Sequence, residues 1–315
     1  RRTRNIFSKP IFLIIAFSMI PIAHLGLIWH LHNSFDNKLK QGETRIKIDE
    51  LHHRGENYVE LWAFYGDIFY PKKNNPDIEV DLVPVPCIID PLTLINGNLI
   101  WEQNNLLNSA LSHTHPDKQV FTKAIDELVL SMSSNSELVS YFLNLSTSEY
   151  IFDPEKLRDI TKIYIWGLPK SGDYYKTSKI EYMSSLPIFN PNTGSKTFPE
   201  LVLHQRLEDN IFLTLTRLMN ELDNSGYSNV YTLAIPAIAG SSYRIDSSNY
   251  LTYKQSFLTI YDSLTKSKIP NRIDRIYLVV YDDLPTLDEE EDAINGLFYV
   301  YLLGNLKKYS SFSLP

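Results

Sequence analysis

The sequence predicts an α/β fold, a mixed or parallel sheet sandwiched by helices and preceded by an apolar N-terminal helix. Three observations carry this. The last third alternates helix, strand, helix, strand, which implies crossovers onto a parallel sheet. Its strands, within VYTLAIP (Val230–Pro236) and RIYLVVYDD (Arg275–Asp283), are continuously apolar, so both sheet faces must be covered. The chain is 315 residues long and 43% hydrophobic, enough for one large core and an appendage.

The first element is the appendage. Ile11–Trp29 (IFLIIAFSMIPIAHLGLIW) contains no charged residue. As a helix it would be about 28 Å long, against a hydrocarbon core of roughly 30 Å. Trp29 suits a membrane interface, and basic residues flank both sides (Arg1, Arg2, Arg4 and Lys9 before; Lys38, Lys40, Arg45 and Lys47 after). Pro21 would kink such a helix, and His24 would need a partner. The segment is expected to anchor residues 1–42 in a membrane. The polar stretch His30–Gly42 reads as a short helical continuation or linker. Residues 43–315 form the soluble body, with an insertion expected around 112–199.

Within the body, RIKIDEL (Arg45–Leu51) and YVELWAFYGDIF (Tyr58–Phe69) are rich in β-branched and aromatic residues and read as strands. VDLVPVPCII (Val80–Ile89) is apolar, but Pro84 and Pro86 restrict it to a short strand or strand end. Lys118–Ser134 has helical spacing. KIYIWGLP (Lys162–Pro169) reads as a strand, and Tyr174–Pro199 as a loop. Glu200–Asn224 is a helix that stops at Ser-Gly, and a second helix is expected from about Asn249 to Lys266.

Charge and composition exclude several functions. Thirty basic residues against 37 acidic give −7, so no global field draws nucleic acid. A single cysteine, Cys87 in an apolar run, rules out a disulfide framework and a thiolate cluster. His52-His53 and His113/His115 lack further ligands at metal-site spacing. The acidic run Asp288–Asp292 lacks the glycine and alternation of a calcium loop and reads as a solvated helix start.

Ligands of open α/β sheets bind outside the carboxyl ends of the strands. That directs attention to Gly66-Asp67, to Asp282-Asp283, and to the loop Ala237-Ile238-Ala239-Gly240-Ser241-Ser242-Tyr243-Arg244. The loop has little side chain, and Gly240 permits positive φ. Its amides can therefore approach an anion closely, with diphosphate the natural guest.

Taken in order, YVELWAFYGDI, VYTLAIPAIAGSSY and RIYLVVYDD resemble the macro domain, an α/β module that binds ADP-ribose. The resemblance covers roughly Tyr58–Leu111 and Glu200–Leu303. It implies that Asp67 accepts from the adenine amino group, with the Ile68 backbone beside it. It also implies that Ala237–Arg244 form a phosphate loop and that Tyr281-Asp282 border the adenine. The Asn-rich strand end and Gly-rich loop of catalytic macro domains have no counterpart in VPCIIDPLTLINGNLIWEQNNLLNSAL (Val85–Leu111), where Asn96, Gly97 and Asn98 come nearest. The expectation is a reader without catalytic residues, cofactor or metal.

A membrane segment joined to such a domain is similar to the effector of type II Thoeris antiphage systems. That similarity implies an ADP-ribose conjugate made from NAD by a TIR-type enzyme, an inner-membrane location with the body in the cytosol, and self-association into tetramers or larger forms. Two alternatives stand beside it: a membrane-tethered ADP-ribosyl hydrolase or phosphoesterase, and a membrane-anchored scaffold with a vestigial pocket.

Overall fold

The computed structural model describes residues 26–39, 45–52, 58–68, 77–89, 130, 134–140, 156, 163–168, 170, 179–189, 200–238, 251–281 and 286–310. Helix α1 spans 26–39. It is followed by strands β1 (Arg45–His52), β2 (Tyr58–Tyr65), β3 (Leu82–Ile89), β4 (Ile165–Gly167) and β5 (Tyr182–Phe189). Then come α2 (Glu200–Asp223), β6 (Thr232–Pro236), α3 (Tyr253–Lys266), β7 (Arg275–Val280) and α4 (Leu287–Ser310).

The seven strands form one mixed sheet in the order β1-β2-β7-β6-β3-β5-β4. Its inner pairs, β2/β7, β7/β6, β6/β3 and β3/β5, are parallel, while β1 and β4 close the edges antiparallel. The parallel centre follows from the helical crossovers, and the buried runs of β6 and β7 fit strands covered on both faces.

Alternation along each strand divides the apolar residues between two layers. Leu61, Ala63, Leu233, Ile235, Ile276 and Leu278 face the helical layer. Phe64, Val83, Val85, Met183, Tyr277 and Val279 face the other side, where Ile78, Val80, Leu168 and Ile180 pack on them. α3 shows the helical logic. Tyr253, Ser256, Phe257, Ile260, Tyr261 and Leu264 are buried at i, i+3, i+4, i+7, i+8 and i+11. Burying each of its large apolar side chains contributes roughly 1.5–3 kcal/mol. Thr252 caps it in a capping box with Gln255.

Several elements differ from the sequence expectation. Residues 182–189, read as loop, are β5, inside the sheet between β3 and β4. The run YMSSLPIF hid a strand because Ser184, Ser185 and Pro187 dilute its apolar pattern. Ser185 Oγ accepts from the Tyr164 amide at 2.9 Å and the Pro187 carbonyl accepts from Thr214 of α2 at 3.1 Å, while Ser184 Oγ is buried with no hydrogen-bond partner among the described residues. Likewise β3 is eight residues long and interior despite Pro84 and Pro86. Residues two apart present their amides to the same side of a strand. Its β5 ladder runs from Leu82 to Ile89, whereas β6 is in register only at Leu82. The missing donors therefore fall where no ladder requires them.

β2 stops at Tyr65 and β7 at Val280, both short of the expected ends. α3 begins at Tyr253 rather than near Asn249. The helix expected over Lys118–Ser134 lies almost entirely outside the described residues.

The N-terminal appendage is described only from residue 26. Among the described residues no helix is long and apolar enough to cross a membrane, and residues 11–25 of the expected anchor lie outside them. α1 carries two kinds of surface. Leu27, Ile28 and Trp29 are exposed, Trp29 at 67%, whereas Phe35 and Leu39 are buried in the core. Of the two readings of the polar stretch, helical continuation or linker, the structure shows the helix over 30–39, docked on the body. The Phe35 ring lies 5.7 Å from Phe298 and 5.4 Å from Tyr301 of α4.

Candidate functional site

Three strand ends stand side by side at the carboxyl edge of the sheet. Tyr65 of β2 is in register with Val280 of β7, and Val279 with Pro236 of β6. Each expected segment starts one or two residues beyond these positions: Gly66-Asp67-Ile68, Tyr281, and Ala237-Ile238. Gly66 closes β2 at φ 149°, a conformation open to glycine and strained for other residues. Its amide donates to the Val280 carbonyl at 2.9 Å, which locks the β2 turn against β7. Ile68, 2% exposed, is buried in the core, and Asp67 beside it is half-buried at the edge.

The β6 end is fixed from the helical layer. Ala237 and Ile238 are buried, and the Ile238 amide donates to Ser256 Oγ of α3 at 2.7 Å. The entry to the small-residue loop and the first turns of α3 therefore hold one another. Ala239, Gly240, Ser241, Ser242, Tyr243, Arg244 and Asp282 lie outside the described residues, as do Asn96–Asn98.

Sequence reasoning missed the groups that brace this edge. The Tyr65 hydroxyl donates to Glu290 Oε1 at 3.0 Å, and the Lys254 amide to Asp292 Oδ2 at 3.3 Å. Both carboxylates belong to the acidic run read as a solvated helix start, in the opening turns of α4. The available signal was the alternation of that run around the helix, which turns some of its carboxylates inward. The Lys254 ammonium sits 3.6 Å from the Tyr299 ring centroid, beside the α3 N-terminus.

Chemically, the edge offers the Asp67 carboxylate just past β2, the Tyr281 ring just past β7, and the Ala237-Ile238 backbone just past β6. A cavity of about 560 Å³ lies elsewhere, between α2 and α3, lined by Glu208, Asp209, Asp262 and Lys266 among others. Burial, then the charges of Asp209 and Asp262, push the Glu208 carboxyl above its usual range, with His204 acting oppositely. Three carboxyl groups against one ammonium make that cavity unsuited to a diphosphate. Among the described residues no group of three metal-ligating side chains comes together.

A mixed sheet with a parallel centre and a helical layer on one face defines an α/β protein. No protein-family model matches the chain, and no curated protein matches it significantly. Solved structures similar to it include the Oceanobacillus iheyensis macrodomain with MES bound, at 11% identity and a TM-score of 0.43 over 82% of this chain and 98% of that one. A variant of that macrodomain with ADPR matches at 11% identity and 0.40, over 81% and 98%. The same macrodomain with ADP matches at 12% identity and 0.38, over 82% and 97%.

Proposed function

We propose that the chain is a receptor for an ADP-ribosyl nucleotide, held at the carboxyl edge of β2, β7 and β6. The observation that carries the reading is the adjacency of Asp67, Tyr281 and Ala237-Ile238. These residues are far apart in sequence, and they are the ones the macro-domain resemblance assigns to one ligand. In this reading Asp67 accepts from the adenine amino group beside the Ile68 backbone, and Tyr281 and Asp282 flank the base. The loop Ala239–Arg244 presents amides to the diphosphate, with Gly240 allowing close approach.

The wider reading is a sensor and effector of bacterial antiphage immunity. Ile11–Trp29 anchors the chain in the inner membrane, the body lies in the cytosol, and the ligand is an ADP-ribose conjugate made by a TIR-type enzyme. The ligand then drives assembly into tetramers or larger forms that disturb the bilayer. The apolar, uncharged sequence of that segment supports anchoring.

Calorimetry of the full chain in detergent against ADP-ribose tests the core claim. Binding is expected, and Asp67→Ala should weaken it by roughly 1.5–3 kcal/mol, the worth of a hydrogen bond to a charged group. Equal affinity in the variant would remove Asp67 from the site. Multiple-turnover release of ADP-ribose from a modified substrate would replace the receptor with a membrane-tethered hydrolase.

A further inference from the structure

The opening turns of α4 touch three separate elements. Glu290 accepts from Tyr65, the last residue of β2 before Gly66-Asp67. Asp292 accepts from the Lys254 amide at the start of α3, whose Ser256 anchors the entry to the small-residue loop. Asn295 Oδ1 lies 2.6 Å from His32 Nε2 of α1. These three residues span about 8 Å of helix axis and, at 100° per residue, point in different directions. One rigid segment therefore grips both arms of the strand-end site and also seats α1. The α1 seat extends through rings, with His32 4.8 Å edge-on to Phe298 and Phe35 packed beside it.

We propose that α4 couples the strand-end site to α1, so that nucleotide binding and the seating of α1 on the body stabilise each other. The inference rests on the nucleotide reading above and adds its transmission path. A ligand that draws the β2 turn and the α3 entry together restrains Glu290 and Asp292, and with them the helix that carries Asn295. Because linkage is reciprocal, loosening α1 must weaken the ligand by the factor that the ligand tightens α1.

The test uses the full chain in detergent with ADP-ribose as probe, and reads affinity together with amide exchange in residues 26–39. In the unaltered chain, saturating ADP-ribose should slow that exchange. His32→Ala and Asn295→Ala, neither in the binding edge, should each weaken ADP-ribose about fivefold or more, the lower range of measured allosteric couplings. They should also abolish the ligand-induced slowing, and His32→Gln, which keeps a side-chain donor, should restore part of both. A merely structural role would lower the melting temperature but leave the ligand-induced difference intact. Bound ADP-ribose with unchanged exchange in 26–39 and unchanged affinity in both variants would overturn the coupling alone. Failure of the unaltered chain to bind ADP-ribose would overturn the nucleotide reading and the coupling with it.

Discussion

Asp49 is 4% exposed in β1, placed on the helical face by a bulge between Lys47 and Asp49 that adds one residue to the strand. Its Oδ2 accepts from the Tyr261 hydroxyl of α3 at 2.7 Å, and its Oδ1 from the Glu50 amide at 2.8 Å. Burial, then the Asp49 contact, raise the Tyr261 phenol well above its usual range, so it stays a donor at any ordinary pH. Tyr261→Phe keeps the ring's packing and removes only this donor. It should destabilise the fold by about 1–3 kcal/mol, the cost of stripping a buried acceptor, measurable by urea denaturation. Loss under 0.5 kcal/mol, within the usual scatter of substitutions that break nothing, would mean Asp49 is satisfied without it. At this scale the sequence was partly legible. Gly66-Asp67 was read as a strand-end position, and the φ of 149° at Gly66 ends the strand there. Asp49 was not legible, since a single acid in RIKIDEL reads as an outward residue until the bulge reverses its direction.

Elements were legible where their pattern matched one environment. β6 and β7 are apolar throughout because both faces are covered, and α3 is amphipathic because one face is. β3 and β5 were obscured by prolines and serines whose tolerance depends on neighbouring strands, a tertiary fact. α4 was harder still: apolar residues surround it, as it buries against β1, β7, α3 and α1 on different sides. Its two glycines show how closely it packs. A Cβ at Gly304 would stand 2.7 Å from the Ile48 carbonyl oxygen and 2.7 Å from Asp49 Cγ. Replacing a helical glycine by alanine gains about 1 kcal/mol in propensity, but overpacking costs about 1–3 kcal/mol. Because the Ile48 contact is with backbone, which yields little, the cost should win and Gly304→Ala should lower the melting temperature. Gly26 of α1 has nothing within 4 Å of its Cβ position. The same change there should be neutral or slightly stabilising. Equal signs at both positions would refute the close approach of α4 to β1.

For the whole molecule, one apolar helix cannot enclose a pore, so an effect on a bilayer requires several copies. The ligand must then favour the assembled state through higher affinity for it. Scattering mass of the full chain in detergent should rise to that of a tetramer or larger when ADP-ribosyl ligand is added. A particle that stays monomeric at saturation would leave the membrane-effector reading without a mechanism. The parallel centre of the sheet was readable from the crossovers. The Thoeris-like role, by contrast, rests on the juxtaposition of an apolar segment and a resemblance, neither of which fixes a partner.

The docking of α1 on α4 has a practical consequence of orientation. His32 meets Asn295 and Phe35 meets Tyr301, so the two helices run in the same sense. Because Glu290 meets Tyr65 at the strand end, both helices start on the side of the site and run away from it. Thus α1 begins on the side of the proposed nucleotide site, and α4 ends on the far side. On the nucleotide reading, a bulky fusion or a sensor-chip linkage placed ahead of α1 would crowd the proposed site and slow access, whereas the same handle placed after α4 would hang clear of it.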